Sequence, residues 1–402
     1  MDIFAHIPIR LILFFILYGV TGAMPLFAAL YLLLRRGNAF APDITPPLRL
    51  RRWAASFFAL SALGHVWWLF FYFHFRNYHS MDGVIHSAGY VALVVFDCVT
   101  QLTTLAGTLL SMLQDRRRRV WPVFVAMLPF VVLGGVYMVN PSQLILLIAF
   151  VYILLLYILF TVYMVFAVRH YGRWLNDNYA DLENKKVWLS QVVTLACLLL
   201  FIIYTLIDVD SVFLMFLMHF TEIVLFGLLL WRVETLPQLD SIPMSETIPQ
   251  LESASAEEAG TASAPEMTEA PDVPTQEQQP LASLVTNDLA QTEMLLAERC
   301  IATQLYLQHD LTLQQLAHVI GTNRFYLSQY FSRQGITYNT YINNLRINYF
   351  ISRYQEAAKA GQRVVARELA SESGYSSYST FSLAFKQRTG LSVTAWMRDA
   401  EG

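Results

Sequence analysis

Seven apolar runs, each about 20 residues or longer, fill the first 235 residues of the chain, at 9–34, 53–75, 84–113, 120–139, 143–168, 187–207 and 211–232. An α-helix rises about 1.5 Å per residue, so about 20 apolar residues match the ~30 Å hydrocarbon core of a bilayer. The runs therefore predict an all-α, polytopic membrane bundle of seven spans over residues 1–235. Composition agrees: 55% of the 402 residues are hydrophobic and 14% charged, against about 45–50% and 25% in soluble domains. The excess is confined to this region, so a membrane part is joined to a soluble part. The first run is too long for a cleaved signal peptide and six more follow it, so it is expected to be a retained helix.

Basic residues orient the bundle. Arg35, Arg36, Arg49, Arg51 and Arg52 follow the first run, Arg116 to Arg119 follow the third, and Arg169, Arg173, Lys185 and Lys186 follow the fifth. The alternate loops carry almost nothing basic beyond Arg76. Positively charged loops stay on the cytoplasmic side, which places the N-terminus outside and residues 236–402 in the cytoplasm, as in a multi-pass protein of a bacterial inner membrane.

Asp97, Gln101, Gln191, His219 and Glu222 interrupt the apolar runs, and His65 and His86 lie within or near the ends of others. A carboxylate at the bilayer centre costs about 3 kcal/mol or more, so it faces a cavity or a partner. Two readings stand side by side: Asp97, Gln101, His219 and Glu222 line a pocket that senses a membrane signal or small molecule, or they are hydrogen-bonded links between helices. Enzyme chemistry finds no support. The chain has no His-Glu-x-x-His and no Gly-x-Ser-x-Gly, the patterns of one zinc-protease class and of the serine nucleophile turn. No lysine lies within an apolar run, and no cofactor is expected. Cys98, Cys197 and Cys300 are too few for a disulfide framework and read as small buried apolar residues.

Residues 236–285 change character: seven prolines, nine acidic residues and no lysine or arginine. Such a stretch cannot bury enough apolar surface to offset chain entropy, so it is expected to be a disordered tether.

Residues 286–402 are soluble in pattern. A helix is expected near 288–307. Leu313, Leu316, Ala317 and Ile320 then recur at helical spacing after Thr312, which with Gln315 fits a capping box, while Leu311 and Leu316 suit a hydrophobic staple. Gly321 stops that helix, and Asn323 can cap a second one whose inner face is Leu327, Tyr330 and Phe331. Two short helices joined by a glycine turn read as a helix-turn-helix. The pattern returns 53 residues later: Leu316-Ala317 and Gly321 are echoed by Leu369-Ala370 and Gly374, Phe331 by Phe385, and Gly335-Ile336-Thr337 by Gly390-Leu391-Ser392. A helix carrying Tyr338, Tyr341, Ile342, Leu345, Tyr349 and Arg346 lies between. From Leu311 to Arg398 there are ten Lys or Arg against three acidic residues, the surplus that phosphate neutralisation requires.

This order of motifs, closed by Trp396-Met397-Arg398, resembles the paired helix-turn-helix domain of AraC-type transcription regulators over roughly residues 290–400. The resemblance implies that each second helix enters the major groove of double-stranded DNA. Contact residues follow from it and from the exposed helix faces: Asn323, Arg324, Phe325, Ser328 and Gln329 in the first motif, and Ser377, Tyr378, Ser379, Ser382 and Lys386 in the second. Arg346 is expected to support the domain or to touch phosphate. The family often has arginine where this chain has Gln329 and Leu383, and proline where it has Val393. Gln329 can still bind adenine through two hydrogen bonds whereas Leu383 cannot, so the first motif is expected to discriminate more.

Together these readings describe a membrane-embedded one-component transcription regulator, with DNA and the bilayer as partners and with a signal molecule, RNA polymerase and a second copy as further candidates. The alternatives are a receptor or transporter with a protein-binding helical tail, and a regulator that the spans merely anchor.

Overall fold

Within the described residues, each apolar run folds as a helix. The computed structural model describes residues 9–35, 37–42, 44–75, 88–182, 185–206, 212–239 and 281–401, and no strand occurs among them beyond an isolated bridge between Tyr179 and Thr312. Arg36, Arg76, His86 and most of the expected tether fall outside the described residues. The chain divides into two units, residues 1–176 with 182–239, and residues 177–181 with 240–402.

The first unit is built from α1 (Ile9–Leu34), α2 (Leu48–Phe75), α3 (Ala88–Ser111), α4 (Trp121–Val139), α5 (Gln143–Asn178, its last two residues in the second unit), α6 (Trp188–Leu206) and α7 (Val212–Thr235). Helix α1 packs on α2 and α7, α2 on α3 and α7, α3 on α4, and α6 on α7. Close approach is set by small residues, as between helices in lipid. A side chain at Gly107 would lie 2.4 Å from the ring of Trp53, so α3 lies flush against that indole. Tyrosine hydroxyls hold α5 to its neighbours, donating from Tyr152 to the Ala126 carbonyl (2.7 Å) and from Tyr157 to that of Leu195 (3.0 Å).

One length departs from expectation. Helix α5 runs ten residues past the expected end at 168, because the polar segment Arg169–Asn178 continues the helix. Among the described residues, six helices are long and apolar enough to cross a membrane. The basic loops also do structural work: Arg118 is buried against Asp115 (3.0 Å), and Arg51 donates to the Leu32 carbonyl in the last turn of α1 (2.8 Å).

In the second unit, α8 (Leu281–Leu296) runs into a π-turn at Ala297–Ile301 and a 3-10 turn at Leu305–Leu307. The single helix expected near 288–307 is thus broken, and Gln304, at φ 54°, takes the left-handed conformation that ends it. Then follow α9 (Leu313–Ile320), α10 (Arg324–Arg333), α11 (Tyr338–Lys359), α12 (Ala366–Glu372), α13 (Tyr378–Thr389) and α14 (Val393–Glu401). Two apolar cores share α11. Its first turns give Tyr338 and Ile342 to a core with Leu316, Ile320, Leu327 and Phe331. Its later turns give Ile347, Phe350 and Tyr354 to a core with Leu369, Phe381 and Phe385.

Candidate nucleic-acid interface

Each motif is assembled by local hydrogen bonds that its sequence dictates. Thr312 caps α9: the Gln315 amide donates to its hydroxyl (3.2 Å), and the Thr312 amide donates to the Gln315 side chain (2.9 Å), a complete capping box. Gly321 ends α9 at φ 78°, where the Thr322 amide reaches back to the Ala317 carbonyl (2.9 Å) and that of Gly321 to His318 (3.1 Å). Gly374, at φ 90°, repeats this after α12, with the Tyr375 amide donating to Ala370 (3.2 Å). The echo in the sequence is thus the same left-handed glycine stop used twice.

Helix α10 starts at Asn323, whose side-chain oxygen accepts from the Tyr326 amide (3.0 Å). Leu327, Tyr330 and Phe331 face inward, which leaves Phe325, Ser328 and Gln329 on the outer face at i, i+3 and i+4. Phe325 is 60% exposed and so is Tyr326, whose ring stands edge-on to it at 5.8 Å. Tyr326 had no assigned role in the sequence reading; its place just outside the Leu327–Phe331 stripe is the signal that identifies it. Arg324 is half-buried, because its Nε–H donates to the side-chain oxygen of Asn178 (2.8 Å), part of the short segment 177–181 of this unit. That burial lowers the pKa of its guanidinium.

Helix α13 is built alike. Ser377 caps it, accepting from the Thr380 amide (3.3 Å), so its hydroxyl shapes the helix start. Phe381 and Phe385 are buried, and Ser379, Ser382, Leu383 and Lys386 share the outer face, with Ser382 half-buried and Leu383 55% exposed. Tyr378 departs from expectation: it packs partly against the second core, its ring 5.7 Å from Phe381, instead of standing free.

Arg346, expected to support the domain or to touch phosphate, takes the first place: it is 0% exposed. Its Nε and Nη2 donate to the carbonyls of Tyr306 and Gln308 (2.7 Å each), and its guanidinium lies over the Tyr375 ring at 5.4 Å. Burial lowers its pKa. Gly374 makes room for it, since a side chain there would meet the Leu307 carbonyl at 2.7 Å and Arg346 Nε at 2.9 Å. Arg346 therefore joins the two motifs. Of the ten basic residues in this region, it is buried, Arg324 is half-buried and the other eight are exposed.

A second cluster lies among the apolar helices of the first unit. Four of the residues expected to line a pocket or link helices make two pairs: Gln101 donates to Asp97 (3.4 Å), and His219 Nδ1 lies 3.0 Å from Glu222. Trp68 also donates to Asp97 (3.4 Å). The structure adds His65 and Ser61 between the pairs. His65 Nε2 is 3.5 Å from Glu222, its Nδ1 contacts the Ser61 carbonyl (2.9 Å), and the Ser61 hydroxyl donates to Gln101 (2.8 Å). The ligand atoms of His65, His219 and Glu222 all fall within 4.8 Å of one another. Gln191 is elsewhere, donating to the Leu109 carbonyl (3.0 Å).

No curated protein and no solved structure matches the chain. A family model described as a helix-turn-helix domain matches residues 300–399, about a quarter of the 402 residues. The match supports an AraC-like, DNA-binding helix-turn-helix domain over these residues.

Proposed function

We propose that the protein is a membrane-embedded one-component transcription regulator. Its helical first unit lies in the inner membrane with the N-terminus outside, residues 236–285 act as an extended tether, and the AraC-type domain reads DNA in the cytoplasm. The observation that carries the reading is the pair of capped recognition helices, each presenting a row of side chains outward, in a chain whose other unit exposes leucine, isoleucine, valine and phenylalanine along most of its helices. Apolar exteriors of that extent mark contact with lipid.

Sensing is favoured over mere anchoring by the cluster around Asp97 and Glu222, since an anchor has no use for carboxylates that are costly in a bilayer. The signal would bias DNA binding or pairing with a second copy, with RNA polymerase as the downstream contact. The test is a transcription reporter driven by the intact chain and by one whose residues 1–235 are replaced with an unrelated anchor. The reading expects DNA binding to survive the exchange and the response to conditions to be lost. A chimera that still responds contradicts sensing by these helices.

A further inference from the structure

We propose that His65, His219 and Glu222 form a binding site for a zinc-class divalent transition-metal ion. This rests on the reading of the first unit as a sensor and names the chemical class that it takes.

The convergence of ligand atoms carries the proposal. A backbone carbonyl only accepts, so the 2.9 Å contact with the Ser61 carbonyl places a proton of His65 on Nδ1 and turns Nε2 toward Glu222 Oε2, 3.5 Å away. An Nδ1–H donating to a carbonyl is the outer contact that orients a metal-binding imidazole.

Three atoms form the site: His65 Nε2 from α2 and His219 Nδ1 and Glu222 Oε2 from α7 all lie within 4.8 Å of one another. Thr21 Oγ1 of α1 lies 3.2 Å from His219 Nδ1. Metal binding takes the imidazole nitrogens deprotonated and releases the proton that either shares with Glu222. Bonds of about 2.0–2.1 Å around tetrahedral zinc give ligand–ligand edges of about 3.4 Å. The observed edges of 3.0 Å from Glu222 to His219 and 3.5 Å from Glu222 to His65 are of that size before any ion draws them in. Imidazole nitrogens with one carboxylate favour zinc-class ions over calcium or magnesium, which take oxygen sets, and the absence of thiolate disfavours copper(I).

The full chain, purified in lipid nanodiscs and stripped with chelator, is titrated with Co²⁺ and then Zn²⁺. The proposal expects one Co²⁺ per chain, with the intense visible bands of tetrahedral coordination, displaced by Zn²⁺. Glu222→Gln, which preserves size, and His65→Gln should each weaken affinity by more than the about 10–100-fold that loss of an outer partner costs. Gln191→Leu, outside the cluster, should leave it unchanged. Circular dichroism and elution volume confirm that each variant is folded. Uptake no greater in the intact chain than in folded Glu222→Gln overturns the proposal, as does binding equally lost in Gln191→Leu. The anchor-exchange reporter separates the two levels: loss of response without metal uptake keeps the sensor and removes this site, whereas metal uptake with an unaltered response keeps the site and removes the sensor.

Discussion

Arg346 and Gln329 differ in what their loss removes. Replacing Arg346 by alanine removes the donor to the buried Tyr306 carbonyl and to that of Gln308, at about 1–3 kcal/mol for each group left unpaired and buried. Arg346→Ala should therefore destabilise residues 286–402 by about 2–5 kcal/mol in urea melts and weaken binding to all sequences only as far as it unfolds the domain. Unchanged stability with lost binding would return it to the phosphate contacts. Gln329→Ala touches no core and should shift stability by less than about 0.5 kcal/mol, while costing about 1–3 kcal/mol at one base pair. Leu383→Ala, also exposed, should cost less at any base; the comparison is binding to matched and singly altered duplexes at one salt concentration. The sequence made Gln329 and Leu383 legible because helical spacing from Leu327 and Phe381 sets which way they point. It left Arg346 open because its acceptors lie 40 and 38 residues away, in a turn created by left-handed Gln304. No local pattern announces that turn.

At the scale of elements, the two glycine stops make unequal demands. Gly321 needs its positive φ but has room around it, with Arg299 Nη1 at 3.4 Å from a built side chain. Gly321→Ala should cost about 1–2 kcal/mol, the penalty of the left-handed region for an L-residue. Gly374 shares that conformation and also presses on the Leu307 carbonyl and Arg346, so Gly374→Ala should be the more damaging by several kcal/mol, on the order of a core overpacking. Equal melting curves for the two variants would refute the joint between the motifs. Caps and stops were readable because each rests on contacts three to five residues apart. Helix lengths among the apolar runs were less so. Hydropathy marks where a helix suits lipid, not where its backbone hydrogen bonds end, and α5 continues through the polar segment Arg169–Asn178. Tyr378 was misplaced for a related reason: the first residue of α13 lies beside the core, and its ring folds back toward Phe381.

For the whole molecule, the account joins an orientation to a DNA-reading unit. Reporter fusions at residues 78, 115 and 180 should fall outside, inside and inside, and an outward reporter at 115 would contradict both the orientation and the number of crossings. The two halves were legible to different depths. The DNA-binding half has a repeated, multi-part pattern, whereas the polar cluster draws on α1, α2, α3 and α7, and no linear pattern places His65 beside Glu222. The most direct measurement of the central claim is footprinting of purified residues 286–402 on genomic DNA at fixed salt. The account predicts specific sites at which one subunit protects two neighbouring major-groove segments, about one helical turn or 10 bp apart. Protection with no sequence preference, or none at all, would contradict it.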